Sequence, residues 1–240
     1  IMHAISHQKN VFCCIAEKNN GAIGEGLMKA VAGDIIILRE FLVDVFQRFK
    51  NHELLGNYIP SNIQPLAGRK ILEKSFFNYG EDDDAKIATK ALCQYYEKFG
   101  YGIMADFVAF NWDGERERLT GINNYSDMTF EKIYGYERQK QELIKNTEAF
   151  LNNKPANNIL LFGDRGTGKS SSIKAIGNHF YEDGLRMVQV SRDHFVQLPK
   201  VMQELSKWGK KFVIVLDDLS FEEFEVEYKV LKSILDGGLE

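Results

Sequence analysis

The chain has 240 residues, enough for one large or two small domains, and is 44% hydrophobic and 27% charged, the balance of an ordinary globular protein. A formal net charge of −4 gives no support to a dedicated nucleic-acid surface. No apolar run can span a bilayer, because the richest, residues 30–49, is broken by Asp34, Arg39, Glu40, Asp44 and Arg48.

The sequence opens on Ile1, which is not a native initiation site, and shows no basic-then-apolar secretory pattern. His3 and His7 have i, i+4 spacing but no third ligand nearby, so they read as disordered polar residues rather than a metal site. Cys13, Cys14 and Cys93 are odd in number, and two are adjacent. They make neither a disulfide framework nor a C-x-x-C zinc site, and a cytoplasmic setting is the simplest.

Leu27, Val31, Ile35, Leu38, Leu42, Val45 and Phe49 recur at helical spacing and predict a long amphipathic helix, ended by Gly56 and Pro60. That stripe suits an intramolecular core better than an oligomer seam, since it is the one such stripe visible. Ile71, Leu72, Phe76 and Phe77 suggest a second helix. Ala88, Leu92, Tyr95, Tyr96 and Phe99 suggest a third, entered through acidic residues 81–84 and stopped by Gly100. Residues 107–114 are ambiguous, and the polar stretch 115–126 reads as a linker. The expected division is therefore a mainly helical domain over 1–120 and a second domain over 121–240.

From Met128 the pattern changes. Leu143, Thr147, Phe150 and Leu151 mark one face of a helix, and a polar turn at 152–157 leads into the apolar run Asn158, Ile159, Leu160, Leu161, Phe162. That run predicts a strand buried on both faces. Residues 163–170 then read Gly-Asp-Arg-Gly-Thr-Gly-Lys-Ser, which fits the phosphate loop G-x-x-x-x-G-K-[ST]. Ile173, Ile176 and Phe180 continue as a helix that stops at Gly184.

Strand, glycine loop and helix together point to binding of a nucleoside triphosphate. Glycines let successive main-chain N–H groups turn inward around an anion, and the helix adds the positive end of its dipole. Gly163, Asp164, Arg165, Gly166, Thr167 and Gly168 would form the cradle, with Ser171 extending it. The Arg165 and Thr167 side chains occupy variable positions and are given no specific role. Lys169 would contact the β- and γ-phosphates, and the Ser170 hydroxyl would ligate Mg²⁺.

Residues 185–190 form a predicted strand nearer the sheet edge, because Arg186 and Gln189 interrupt its apolar character. Pro199 suits the first turn of a helix carrying Val201, Met202 and Leu205, closed by Gly209. Phe212, Val213, Ile214, Val215 and Leu216 predict another buried strand, ending in Asp217 and Asp218. Carboxylates at that edge lie where ligands collect in parallel sheets. Asp217 would hold Mg²⁺ through water and Asp218 would orient the attacking water, although Asp218 also suits a simple turn cap. Ser220 and Glu223 form a capping box for a final helix with Val230, Leu231 and Leu235. Alternating elements imply an α/β fold with a mostly parallel three-layer sheet.

These motifs resemble the AAA+ group of P-loop ATPases. Ile133, Tyr134, Gly135 and Tyr136 look like the box that precedes the phosphate loop in that group, and Asp217-Asp218 takes the place of its acidic pair, as in helicase loaders. Residues 146–151, 163–172, 184–186 and 217–222 resemble, more narrowly, an uncharacterised bacterial AAA+ ATPase family. The resemblance implies a parallel P-loop sheet with helices on both faces, ATP and Mg²⁺ as ligands, and an adenine pocket at Tyr134 and Gly135. For Tyr134, simple core packing is the alternative. Adenine over guanine follows from the resemblance, as no N-K-x-D motif follows Asp217.

Three departures qualify it. Asp218 is one methylene shorter than the usual glutamate, no arginine finger is recognisable, and the sequence stops before the sensor strand and helical lid. In the AAA+ arrangement that later strand lies between the phosphate-loop strand and the Asp217 strand, so the natural protein is expected to continue past Glu240. Two functions stay open. One is a Mg²⁺-dependent ATPase that remodels an unidentified protein partner within a homo-oligomer. The other is a nucleotide-gated binding module or loader with little hydrolysis, for which charge gives no nucleic-acid support.

Overall fold

The computed structural model describes residues 5, 7–52 and 84–217. Its chain divides into two units, Ile1–Ala105 and Asp106–Glu240. The expected second helix around Ile71 and Phe77, most of the acidic entry, Asp218, the Ser220 capping box and the final helix lie outside the described residues.

The first unit is helical throughout its described part. Helix α1 (Val11–Lys18) starts at Asn10, whose side chain accepts a 2.8 Å hydrogen bond from the Cys13 amide. It buries Phe12, Cys13, Ala16 and Glu17. Helix α2 (Glu25–Lys50) turns Val31, Ile35 and Leu42 inward, as the spacing predicts, while Leu38 lies at the margin of that stripe. The intramolecular reading of the stripe fits this burial. Helix α3 (Asp84–Phe99) buries Ala88, Leu92, Tyr95, Tyr96 and Phe99, and Tyr96 meets Phe12 edge-to-face at 5.6 Å. Gly100, at φ 73°, ends it.

The start of the chain differs from expectation. Tyr96 donates from its hydroxyl to the Ile5 carbonyl at 2.7 Å, and His7 is half-buried rather than a solvated polar residue. A tyrosine hydroxyl inside an apolar core needs an acceptor, and the N-terminal segment supplies it. Cys13, Cys14 and Cys93 are free thiols. Burial pushes both the Cys13 and the Cys93 thiol up to about 11.

A short turn, α4 (Ile103–Asp106), leads into the second unit. There β1 (Ala109–Asp113) and β2 (Arg118–Gly121) form an antiparallel hairpin. Next come a 3₁₀ turn at Phe130–Lys132, α5 (Glu137–Leu151), α6 (Lys169–His179), β3 (Leu185–Val190), α7 (Leu198–Leu205) and β4 (Lys211–Leu216). The sheet order is β2-β1-β3-β4, with β1, β3 and β4 mutually parallel. The architecture is thus α/β, with a mostly parallel four-stranded sheet flanked by helices.

Three expectations change here. The supposed linker, 115–126, contains β2, and the unit boundary falls before the hairpin rather than at 120/121. Because the hairpin adds outside it, β3 is an interior strand and not an edge. Arg186 is 0% exposed, donating to the carbonyls of Tyr181 (3.1 Å) and Leu185 (2.7 Å) with its guanidinium 4.2 Å from the Tyr181 ring centre. A buried charge so satisfied does not mark an edge.

The third change concerns residues 158–162. They form no ladder with any described strand, and Ile159, Leu160 and Phe162 are exposed, Phe162 at 88%. Apolar content alone does not make a strand, since each main-chain N–H and C=O needs a partner. The strand that the AAA+ resemblance puts between this segment and β4 is not among the described residues.

Candidate functional site

The glycine loop follows that unpaired segment. Gly163, Gly166 and Gly168 have φ of 141°, 86° and 84°. At Gly166 and Gly168 the left-handed backbone would strain any side chain, so glycine is required by the turn itself. The Thr167 hydroxyl donates to the Asp164 carbonyl at 2.9 Å and closes the loop. Asp164, Arg165 and Gly166 are exposed, while Thr167 and Gly168 are half-buried.

Gly168 is the N-cap of α6, and no side chain caps that end. Its first-turn amides therefore face away from the helix without a side-chain acceptor, the arrangement that receives anions. Lys169 Nζ donates to the carbonyls of Gly163 and Asp164, each at 2.8 Å, so its ammonium lies across the loop. Ser170 is exposed and Ser171 half-buried. Ser172 bonds back to the Gly168 carbonyl through both its amide (2.9 Å) and its hydroxyl (3.0 Å), which locks the first turn.

Helix α6 is held by its other face. Ala175, Ile176 and Phe180 join a core with Ala109, Phe130, Ile133, Leu143, Leu185 and Met187. A Cβ on Gly177 would stand 2.8 Å from Met187 and 2.7 Å from the Tyr125 hydroxyl, so α6 lies close against β3. Burial pushes the Tyr125 phenol up to about 12. The turn between α6 and β3 is tight, with Leu185 N–H bonded to the Phe180 carbonyl at 3.1 Å. A helix joined so closely to the strand it packs on must run antiparallel to it. The first turn of α6 therefore lies toward the edge where β3 and β4 end, and Asp217 is the exposed residue directly after β4.

The segment before α5 is stapled onto α6. Asn178 donates from Nδ2 to the carbonyls of Ser126 (2.6 Å) and Met128 (2.8 Å), and Phe130 meets His179 edge-to-face at 5.7 Å. Lys132 pairs with Asp127 at 2.7 Å and holds that exposed carboxyl below the usual range. The Thr129 hydroxyl does the same for Glu131. Ile133 is buried, and its side chain would be 3.8 Å from a Cβ on Gly168. Ile133, the first residue of that box, is thus brought beside the glycine loop.

Tyr134 is 92% exposed, which rules out core packing as its role here. Gly135 and Tyr136 both have left-handed backbones, φ 74° and 59°. For tyrosine that conformation costs about 1–2 kcal/mol, so the surroundings must hold it. Lys140 does so: its ammonium donates to the Ile133 carbonyl and pairs with Glu137 at 2.9 Å. Lys140 and Asn178 are the residues that sequence reasoning missed. Lys140 was findable, because it shares a helical face with Leu143 and Thr147.

Among the described residues, no group of three or more His, Cys, Asp or Glu side chains could hold a metal ion. None of the described helices is long and apolar enough to cross a membrane. An α/β unit with a glycine-rich turn opening a helix defines the class of fold. Within it, residues 105–240 match the family described as "Protein of unknown function (DUF815)", and the chain belongs to that family. No curated protein and no solved structure matches it significantly.

Proposed function

We propose that the second unit is a P-loop nucleotide site of the AAA+ kind, and that the chain binds ATP with Mg²⁺ and hydrolyses it. The observation that carries this reading is the uncapped start of α6 behind three positive-φ glycines, with the Lys169 ammonium lying across the loop. Main-chain amides of residues 163–171 would cradle the phosphates, and Lys169 would exchange its two carbonyl partners for phosphate oxygens. Ser170 and Asp217 are the residues that would hold Mg²⁺. Such a cation neutralises charge on the transferring phosphoryl group. Asp218 would orient the attacking water. Tyr134 and Gly135, which follow Ile133 in the chain and are open to solvent, would receive the adenine.

The decisive experiment is an ATP titration of the parent chain and Lys169→Ala. Losing two charge-assisted hydrogen bonds should weaken binding by ~100-fold. Unchanged affinity would refute the site.

One feature favours a second reading, a nucleotide-gated module with little turnover: Asp218 is shorter than a glutamate and reaches less far toward a water. Asp218→Asn should abolish hydrolysis while sparing ATP binding. A parent chain without hydrolysis in any oligomeric state would leave the module reading in possession. Three free thiols suit a reducing cytoplasm, where the ATPase would act on a protein partner as a homo-oligomer.

A further inference from the structure

We infer that Lys140 is a positioning residue that sets the base end of the nucleotide site without touching the nucleotide. This inference rests on the phosphate-loop reading proposed above.

Its ground is the way α5 begins. Gly135 and Tyr136 place two consecutive left-handed residues before the helix, and Tyr136 as N-cap offers no side-chain cap. A turn of that shape is held only if something closes it. The Lys140 amide donates to the Tyr136 carbonyl at 2.9 Å, as the first helical bond of α5. Its side chain then reaches back across the turn to the Ile133 carbonyl. Lys140 is only 8% exposed, and Glu137 neutralises it at 2.9 Å, whereas Lys145 and Lys154 are open to solvent. An ammonium withdrawn from water and spent on one main-chain carbonyl is a brace.

What the brace fixes is the wall beside the glycine loop. Ile133 is buried in the core of α6 and faces the Cα of Gly168, while the next side chain, Tyr134, stands out in solvent. Moving the Ile133 carbonyl therefore moves the Tyr134 ring and the Gly135 main chain relative to the phosphate cradle. The cradle itself is built from α6 and from bonds within residues 163–172, none of which involves Lys140. Base recognition and phosphate recognition thus depend on different supports.

The test compares ATP with inorganic tripolyphosphate, each with Mg²⁺, on the 240-residue parent, Lys140→Met and Lys140→Arg. Lys140→Met should weaken ATP about tenfold while leaving tripolyphosphate within about twofold, and Lys140→Arg should recover most of the ATP loss. Retained tripolyphosphate binding also reports that the loop is still folded. Equal weakening of both ligands by Lys140→Met, or no change in either, would overturn the inference while leaving the phosphate site intact. A parent chain that binds neither ligand overturns the phosphate-loop reading, and this inference with it.

Discussion

Two stretches of the second unit make an instructive pair. The hairpin β1–β2, which carries Asn111, Asp113 and Arg118, joins the ladder and makes β3 an interior strand. The more apolar run 158–162 joins no described strand, and its side chains are largely exposed. Pairing decides strand formation more than apolar content does, because a ladder satisfies main-chain groups that no side chain can. The phosphate loop consequently takes its position from α6 and the core beneath it, and the segment that precedes it contributes little.

Substitutions can break that contrast. Phe110, in β1, is 0% exposed, and Phe110→Ala should cost about 3–5 kcal/mol in denaturant unfolding. A cost below 1 kcal/mol would mean that the hairpin is not part of the core. Arg186→Met comes next. It removes the donor to the Tyr181 carbonyl, in the turn before β3, and to the Leu185 carbonyl, in β3, and should cost about 2–3 kcal/mol by the same measurement. A stabilised variant would show that the guanidinium is merely tolerated. Phe162→Ala, in the exposed run before the glycine loop, should change stability by no more than about 0.5 kcal/mol.

A pH response in the helical unit sharpens the comparison further. Burial raises Cys13 and Cys93 from 9.0 to about 11, so the folded form keeps protons that the unfolded form has lost. Their contribution is fully present below pH 9 and disappears as pH rises toward 11. Thermal melts across that window should show the helical unit weakening with a slope that Cys13→Ala and Cys93→Ala each reduce. An unaltered slope in both would contradict the assignment.

How far the sequence could be read depended on whether a feature was local. The inward faces of α2, α3, α5 and α6 were legible, because helical spacing puts Val31 and Ile35, or Ile173 and Ile176, on one side without reference to other elements. The glycine turn was legible for the same reason, since Gly166 and Gly168 meet a local demand for positive φ. Strand neighbours were not. Residues 115–126 looked like a linker because β2 pairs with β1 through main-chain groups that carry no sequence signal. Arg186 suggested an edge because charge usually does, while its partners, Tyr181 and the adjacent carbonyls, become visible only in the fold. At the site, Tyr134 is singled out by resemblance alone, and the bond from Lys140 to the Ile133 carbonyl next to it belongs to no motif.

The division into two units also puts both of the chain's tryptophans in one of them. Both tryptophans, Trp112 and Trp208, belong to the second unit, whereas Tyr95, Tyr96 and Tyr101 lie in the helical one. Indole emission therefore follows the α/β unit alone, while far-ultraviolet dichroism weighs both. Heating curves recorded by the two signals would superimpose only if the units melt as a single cooperative block, and would part if each keeps its own transition.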